Sequence, residues 1–171
     1  MPAIERYTGV LFDALGWEST TDAARAFARR HVVIHSALFG LLRADDAVPA
    51  YRLSHDSKVA VRGGSLKSTW RAPIARALDS AGEFVLDLRS EGYVGLGPAP
   101  ADSEFVRVVT EGADGKRRAL NHFNKKGKGE FARALIDARL DHDSVESLLE
   151  WAVGTGWSLG RGAPGELELV V

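Results

Sequence analysis

Apolar residues are spaced in two styles along this chain. His31–Ser36 contains the consecutive β-branched run Val32, Val33 and Ile34, which suits a strand covered on both faces. Leu66–Ala81 instead repeats at helical spacing, with Leu66, Trp70, Ile74, Ala77 and Leu78 on one face and Gly82 as its stop. Glu83–Leu88 reads as a second buried strand. A strand, a loop with a helix, and another strand predict a parallel pair. Upstream, Tyr7–Leu15 predicts a short helix and Thr21–Arg30 a stronger one. Thr20 or Thr21 can cap the latter, Asp22 suits its positive end, and Arg29 and Arg30 suit its negative end.

The second half alternates more. Glu104–Glu111 reads as a strand, and Asp114–Gly115 signals a hairpin ahead of Lys116–Phe123. On that second strand Arg117, Ala119 and Asn121 share one face, and Arg118, Leu120 and His122 the other. After Gly129 a helix is expected on the stripe Phe131, Leu135, Ile136 and Leu140. Ser144–Val153 forms another, capped by Ser144. Trp157–Leu159 and Glu166–Val171 complete a C-terminal hairpin. The reading is a mixed α/β fold, a central mixed sheet with helices packed on its faces.

Composition changes the picture mainly by exclusion. With 171 residues, 45% hydrophobic and no internal repeat or linker, residues 1–171 form one domain. No apolar run is long enough for a bilayer, so no membrane partner is expected. The start MPAIERYTG lacks an apolar signal core, which makes the cytoplasm the expected location. The absence of cysteine rules out disulfides, thiolate metal sites and a peroxidatic thiol. No metal or other cofactor is expected. His31 and His35 are four apart, but on a strand, with no third ligand nearby.

Charge is distributed unevenly. The chain is −1 overall, yet Lys116–Arg133 holds seven basic residues against the single acid Glu130. Such a local positive field suits phosphate or another anion, while a solvated basic hairpin is its plain alternative. Within it, Lys125–Lys126–Gly127–Lys128–Gly129 reads as a strand-to-helix turn. Its glycines would let amides approach an anion at a helix start, with Arg133 one turn on. A helix-hairpin-helix would need the preceding strand to be helical. Gly63–Gly64–Ser65–Leu66–Lys67–Ser68 is only a loop feeding a helix, because a phosphate loop needs glycine at Leu66. Gly92, Gly95 and Gly97 have the wrong spacing for a dinucleotide fingerprint.

The loop SALFGLLRADDAVPAYRL follows the first strand. It offers Arg43, Tyr51 and Arg52, which could bind phosphate and stack on a base. Alternatively Arg43 pairs with Asp45 or Asp46, and Tyr51 packs with its hydroxyl satisfied.

An ordered set of spaced motifs resembles the YaaA-type peroxide-stress proteins. They are Tyr7–Thr8–Gly9; Ser36-x-Leu38-x-Gly40-x-Leu42–Arg43-x-x-Asp46; Tyr51–Arg52–Leu53; Trp70; Ser90-x-x-Tyr93; Lys125–Lys126-x-Lys128–Gly129-x-x-x-Arg133; and Gly165–Glu166–Leu167. Gly92 stands where that family's Ser-x-Glu-Tyr has glutamate, and Lys128 where arginine is common. The resemblance runs from Tyr7 to the end and implies the central and C-terminal part of the family. An upstream segment in other members is the expected home of their helix-hairpin-helix. It further implies bacterial cytosolic proteins of peroxide stress that bind DNA through a positive cleft and lower free iron, with no established catalysis.

The expected partner is therefore DNA or another phosphate-bearing polyanion. It would be held by Lys125, Lys126, Lys128 and Arg133 with Lys116, Arg117 and Arg118, and lined by Arg43, Tyr51 and Arg52. The alternative is an enzyme acting on a phosphorylated small molecule or nucleotide in the same cleft. Tyr7, Thr8, Ser36, Ser90 and Tyr93 are the further cleft candidates.

Overall fold

A computed structural model describes residues 1–60, 63–115, 117–119 and 124–171. The chain opens with helix α1 (Ala3–Arg6) and helix α2 (Val10–Leu15), a short 3-10 turn, and helix α3 (Asp22–His31). Strand β1 (Val33–Ser36) turns directly into β2 (Gly40–Arg43). Helix α4 (Leu66–Asp79), strand β3 (Leu86–Asp87) and the short helix α5 (Glu91–Val94) lead to β4 (Glu104–Glu111) and β5 (Arg117–Ala119). Helices α6 (Asn124–Ala138) and α7 (Val145–Gly154) precede the final strands β6 (Leu159–Arg161) and β7 (Glu166–Val170).

The mixed α/β reading holds. Five strands form one sheet in the order β3-β4-β7-β6, with β5 beside β4. The β3–β4 and β4–β7 pairs are parallel, and the β4–β5 and β6–β7 pairs antiparallel. The C-terminal hairpin is present, with β7 drawn inside the sheet. Thr21, Ser65 and Ser144 each cap a helix by accepting from the amide three residues on.

The parallel pairing expected between the two apolar runs is corrected. β1 folds back antiparallel on β2 in a separate two-stranded ribbon. Gly40, at φ 77°, begins the return strand, and a Cβ there would come within 2.8 Å of the Trp70 ring. The local turn closes before a crossover can form, and β3 takes β4 as its parallel partner instead. The short helix expected within Tyr7–Leu15 is α2, which opens after Gly9 at φ 113°, and α1 lies ahead of it.

Packing follows this division. Ala3, Ile4, Leu15, Trp17, Ala28 and Ile34 form a core between the N-terminal helices and the ribbon, and Ile136 of α6 joins it. Val106, Val108, Phe131, Leu148, Leu167 and Leu169 form another between the sheet and α6 and α7. A smaller cluster of Ala37, Leu66 and Leu96, with Trp70 and Tyr93, sits where α4 meets the ribbon.

Candidate functional site

The basic motif lies inside α6, so the expected strand-to-helix turn is corrected. Its glycines serve helix packing. A Cβ on Gly129 would lie 2.2 Å from the Leu11 carbonyl oxygen of α2, and one on Gly127 would lie 3.2 Å from both Val108 and Val171. Without side chains the two helices approach backbone to backbone.

The cations of this segment are mostly committed. Lys128 is 2% exposed, donates to the Arg89 carbonyl at 2.9 Å, and sits 4.2 Å above the Phe105 ring. Burial pulls its ammonium down to about 8. Arg133 donates to the carbonyls of Leu15 and Gly16 and to Ser19 at the end of α2, and pairs with Asp137 at 2.6 Å. It satisfies carbonyls that α2 leaves open. Lys126 pairs with Glu130 at 3.5 Å, Arg118 with Asp114 at 2.7 Å, and Arg117 with Glu111 and Glu168. Lys125 is exposed with no ion pair among the described residues. Lys116, and with it Leu120, Asn121 and His122 of the expected strand faces, lies outside the described residues.

The loop after the ribbon builds a polar cluster. Tyr51 hydrogen-bonds through its hydroxyl to both Tyr7 and Ser36. Ser36, 1% exposed, accepts from the amides of Leu38 and Phe39 at 3.1 and 3.0 Å. With its lone pairs so used, Ser36 donates its hydrogen to Tyr51 and Tyr51 donates to Tyr7. Tyr7 is left as the outward donor. Burial holds Tyr7 above its ordinary range, so the phenol keeps its proton at neutral pH.

A charged group adjoins it. Asp87, 5% exposed, receives two hydrogen bonds from the Arg89 guanidinium at 2.6 and 2.8 Å and a third from its amide at 3.0 Å. Arg89 also donates to the Gly97 carbonyl at 2.9 Å and to His35 Nδ1 at 3.0 Å. Burial, then the Arg89 guanidinium, depress His35 to about 4. His35 is therefore neutral at pH 7, and because guanidinium only donates, its Nε2 carries the hydrogen. Tyr93 stands edge-on to both His35 and His55, at 5.3 and 5.2 Å. Burial raises Tyr93 too. At Gly92 a Cβ would meet the His55 ring at 2.3 Å, so imidazole fills the space a side chain would need.

The structure thus gathers Tyr7, Ser36, Tyr51 and Tyr93, and ties Lys128 to them through Arg89 and His35. It leaves Arg43 exposed, donating to the Arg30 carbonyl at 2.8 Å, with Asp46 accepting from its amide. Thr8 is exposed between α1 and α2, and Ser90 at the start of α5. Arg52 is exposed, with no ion pair among the described residues. Sequence reading missed Asp87, Arg89 and His55, and weighed His35 only as a metal ligand against a strand histidine, which it is. The Asp87-x-Arg89 spacing at the end of an apolar strand was the available signal.

A cleft of about 360 Å³ opens beside Asp87, Glu91, Phe105, Arg107 and Glu166. Arg107 is clasped there by Glu166 at 2.6 Å and Glu91 at 3.2 Å. Among the described residues lining the cleft, these pairs leave no spare positive charge for a phosphate. Among the described residues no set of three or more His, Asp or Glu is arranged to hold a metal, and no helix is long and apolar enough to cross a membrane.

Comparison with known proteins gives a consistent picture. The model of a family described as peroxide stress protein YaaA matches residues 1–159. A UPF0246 protein of Corynebacterium glutamicum strain R is 41% identical over 159 residues, covering 91% of this chain and 63% of its own length. One from Corynebacterium efficiens is 39% identical across 100% of this chain and 70% of its own. One from Streptomyces coelicolor is 37% identical, covering 95% and 64%. The chain spans about two thirds of the length of these relatives.

Proposed function

The chain belongs to the peroxide stress protein YaaA family, and from that premise we propose that it serves peroxide defence by holding DNA or another phosphate-bearing polyanion. The observation that carries this reading is a set of cations the fold leaves unpaired. From Tyr51 to Arg76 the sequence has six basic residues and one acid, Asp56. Of these, Arg52, Lys58, Lys67, Arg71 and Arg76 are exposed with no ion pair among the described residues. Lys125 adds another from α6.

Exposed, unpaired cations can neutralise phosphates and release condensed counterions, which gives affinity without base reading. The same charges draw a polyanion in from solution. The reading keeps Arg52, Tyr51 and Lys125 from the sequence analysis and adds the α4 cations. It includes a cytoplasmic location, and any effect on free iron is indirect.

Duplex binding measured across salt tests this. The triple substitution Arg52→Ala, Lys67→Ala and Arg71→Ala should weaken binding equally for unrelated sequences. It should also reduce the slope of log K against log salt by about 0.9 for each lost phosphate contact. An unchanged slope rejects the site.

A second reading rests on the hydroxyl relay. Tyr7, held protonated at the end of Ser36 and Tyr51, is a donor suited to a phosphoryl or carbonyl oxygen of a small phosphorylated compound or nucleotide. Its raised pKa keeps the phenol protonated, so it serves as a hydrogen-bond donor and not as a base. Thermal shifts against nucleotides and phosphosugars check it: a tight small-molecule hit lost in Tyr7→Phe, without DNA binding, makes this the better account.

A further inference from the structure

The turn joining β1 to β2 exposes two large apolar side chains, Leu38 at 44% and Phe39 at 39%. Water contact is unfavourable for such groups, and the turn could have been polar. The sequence around it holds the turn rigidly. Ser36 accepts from both the Leu38 and Phe39 amides. The Trp70 indole donates to the Ala37 carbonyl at 2.8 Å and packs against Gly40. The Phe39 ring stands edge-to-face with Tyr51, 5.3 Å between centroids.

Those fastenings come from the elements that bear the unpaired cations. Tyr51 is followed by Arg52, and Trp70 lies on α4 between Lys67 and Arg71, one turn apart. The apolar tip is thus fastened by two segments that also carry exposed cations with no ion pair among the described residues. That combination, an exposed aromatic side chain together with phosphate-binding cations, is the composition of a nucleic-acid stacking platform.

We propose that Leu38 and Phe39 form a platform on which an unpaired base of single-stranded nucleic acid stacks, its flanking phosphates held by Arg52, Lys67 and Arg71. This rests on the polyanion reading above and narrows its ligand class. Phe39 is 39% exposed with the rest of its surface packed, which suits contact with one base. A wedge driven between stacked base pairs would have to protrude further. Tyr51, whose hydroxyl and ring are already engaged, acts as the support for Phe39.

The test compares a single-stranded oligonucleotide containing 2-aminopurine, an abasic oligonucleotide of equal charge, and a duplex. Phe39→Ala should weaken single-strand binding about tenfold, in line with loss of one stacked base. It should leave abasic binding and the salt slope unchanged. Phe39→Trp should retain binding and quench 2-aminopurine at least as strongly. Phe39→Ala gives up packing against Tyr51 and should melt lower than the parent, so circular dichroism verifies that both variants are folded at the assay temperature.

Equal binding of the single strand by parent and Phe39→Ala overturns the platform while the polyanion reading stands. Loss of duplex, abasic and single-strand binding together in the Lys67→Ala, Arg71→Ala variant supports the cations shared by both. No parent affinity for any of the three probes removes both readings. If Phe39→Ala instead abolishes binding to vesicles of phosphatidylcholine and phosphatidylserine and spares the oligonucleotides, the tip is a membrane contact and the proposal fails.

Discussion

Two stretches of this protein carry nearly the same excess of positive charge and use it in opposite ways. Lys116–Arg133 holds seven basic residues to one acid, and Tyr51–Arg76 six to one. In the first, Lys128 is buried, Arg133 closes α2, and Arg117, Arg118 and Lys126 face carboxylates. In the second, five cations among the described residues face water. Linear charge density therefore does not locate available charge. The neutralising acids Glu111 and Glu168 reach Arg117 from β4 and from β7, the latter 51 residues away in sequence. A window along the chain cannot see them.

The contrast can be broken by substitution. The largest effect belongs to the packed stretch: Gly129→Ala pushes a methyl onto the Leu11 carbonyl and should lower unfolding free energy by about 3 kcal/mol in urea melts. Arg133→Ala leaves the Leu15 and Gly16 carbonyls at the end of α2 without their donor, and should cost about 2 kcal/mol. Its effect on the salt slope of polyanion binding should be nil.

The buried ammonium provides a pH signature. Lys128 loses its proton near pH 8 in the fold, against 10.5 ordinarily. Between those values the unfolded chain binds more protons, so stability rises with pH. Thermal melts across that range should show a rise that Lys128→Met removes. The smallest stability effect belongs to the open stretch. Lys67→Ala with Arg71→Ala should change unfolding free energy by no more than about 0.5 kcal/mol. A large loss of stability there, or a lost salt slope in Arg133→Ala, would reverse the division between the two stretches.

Much of the fold was legible because local physics decides it. The caps at Thr21 and Ser144, the α4 stripe and the Asp114–Gly115 hairpin all act within a few residues. Pairing was not legible. A run of β-branched residues is equally compatible with a hairpin or a crossover, and Gly40 fitting under Trp70, thirty positions on, favours the hairpin. The motif GKG was misread because glycine serves turns and close helix contacts alike, and only Leu11 of α2 distinguishes them. Tyr51 and Ser36 were found as site candidates, but their hydrogen bond to one another needed three dimensions. His35 was noticed for its spacing from His31, but its partner Arg89, 54 residues away, was not legible.

Arg89 has a mechanical consequence. Its guanidinium grips His35 in the ribbon and Asp87 in the large sheet, while its carbonyl anchors Lys128 of α6. Among the described residues the ribbon and the sheet share no backbone ladder, so this residue couples their opening. Amides of β1 and β4 should exchange with solvent as one cooperative unit, and Arg89→Met should let the ribbon fray at lower free energy while the sheet stays closed.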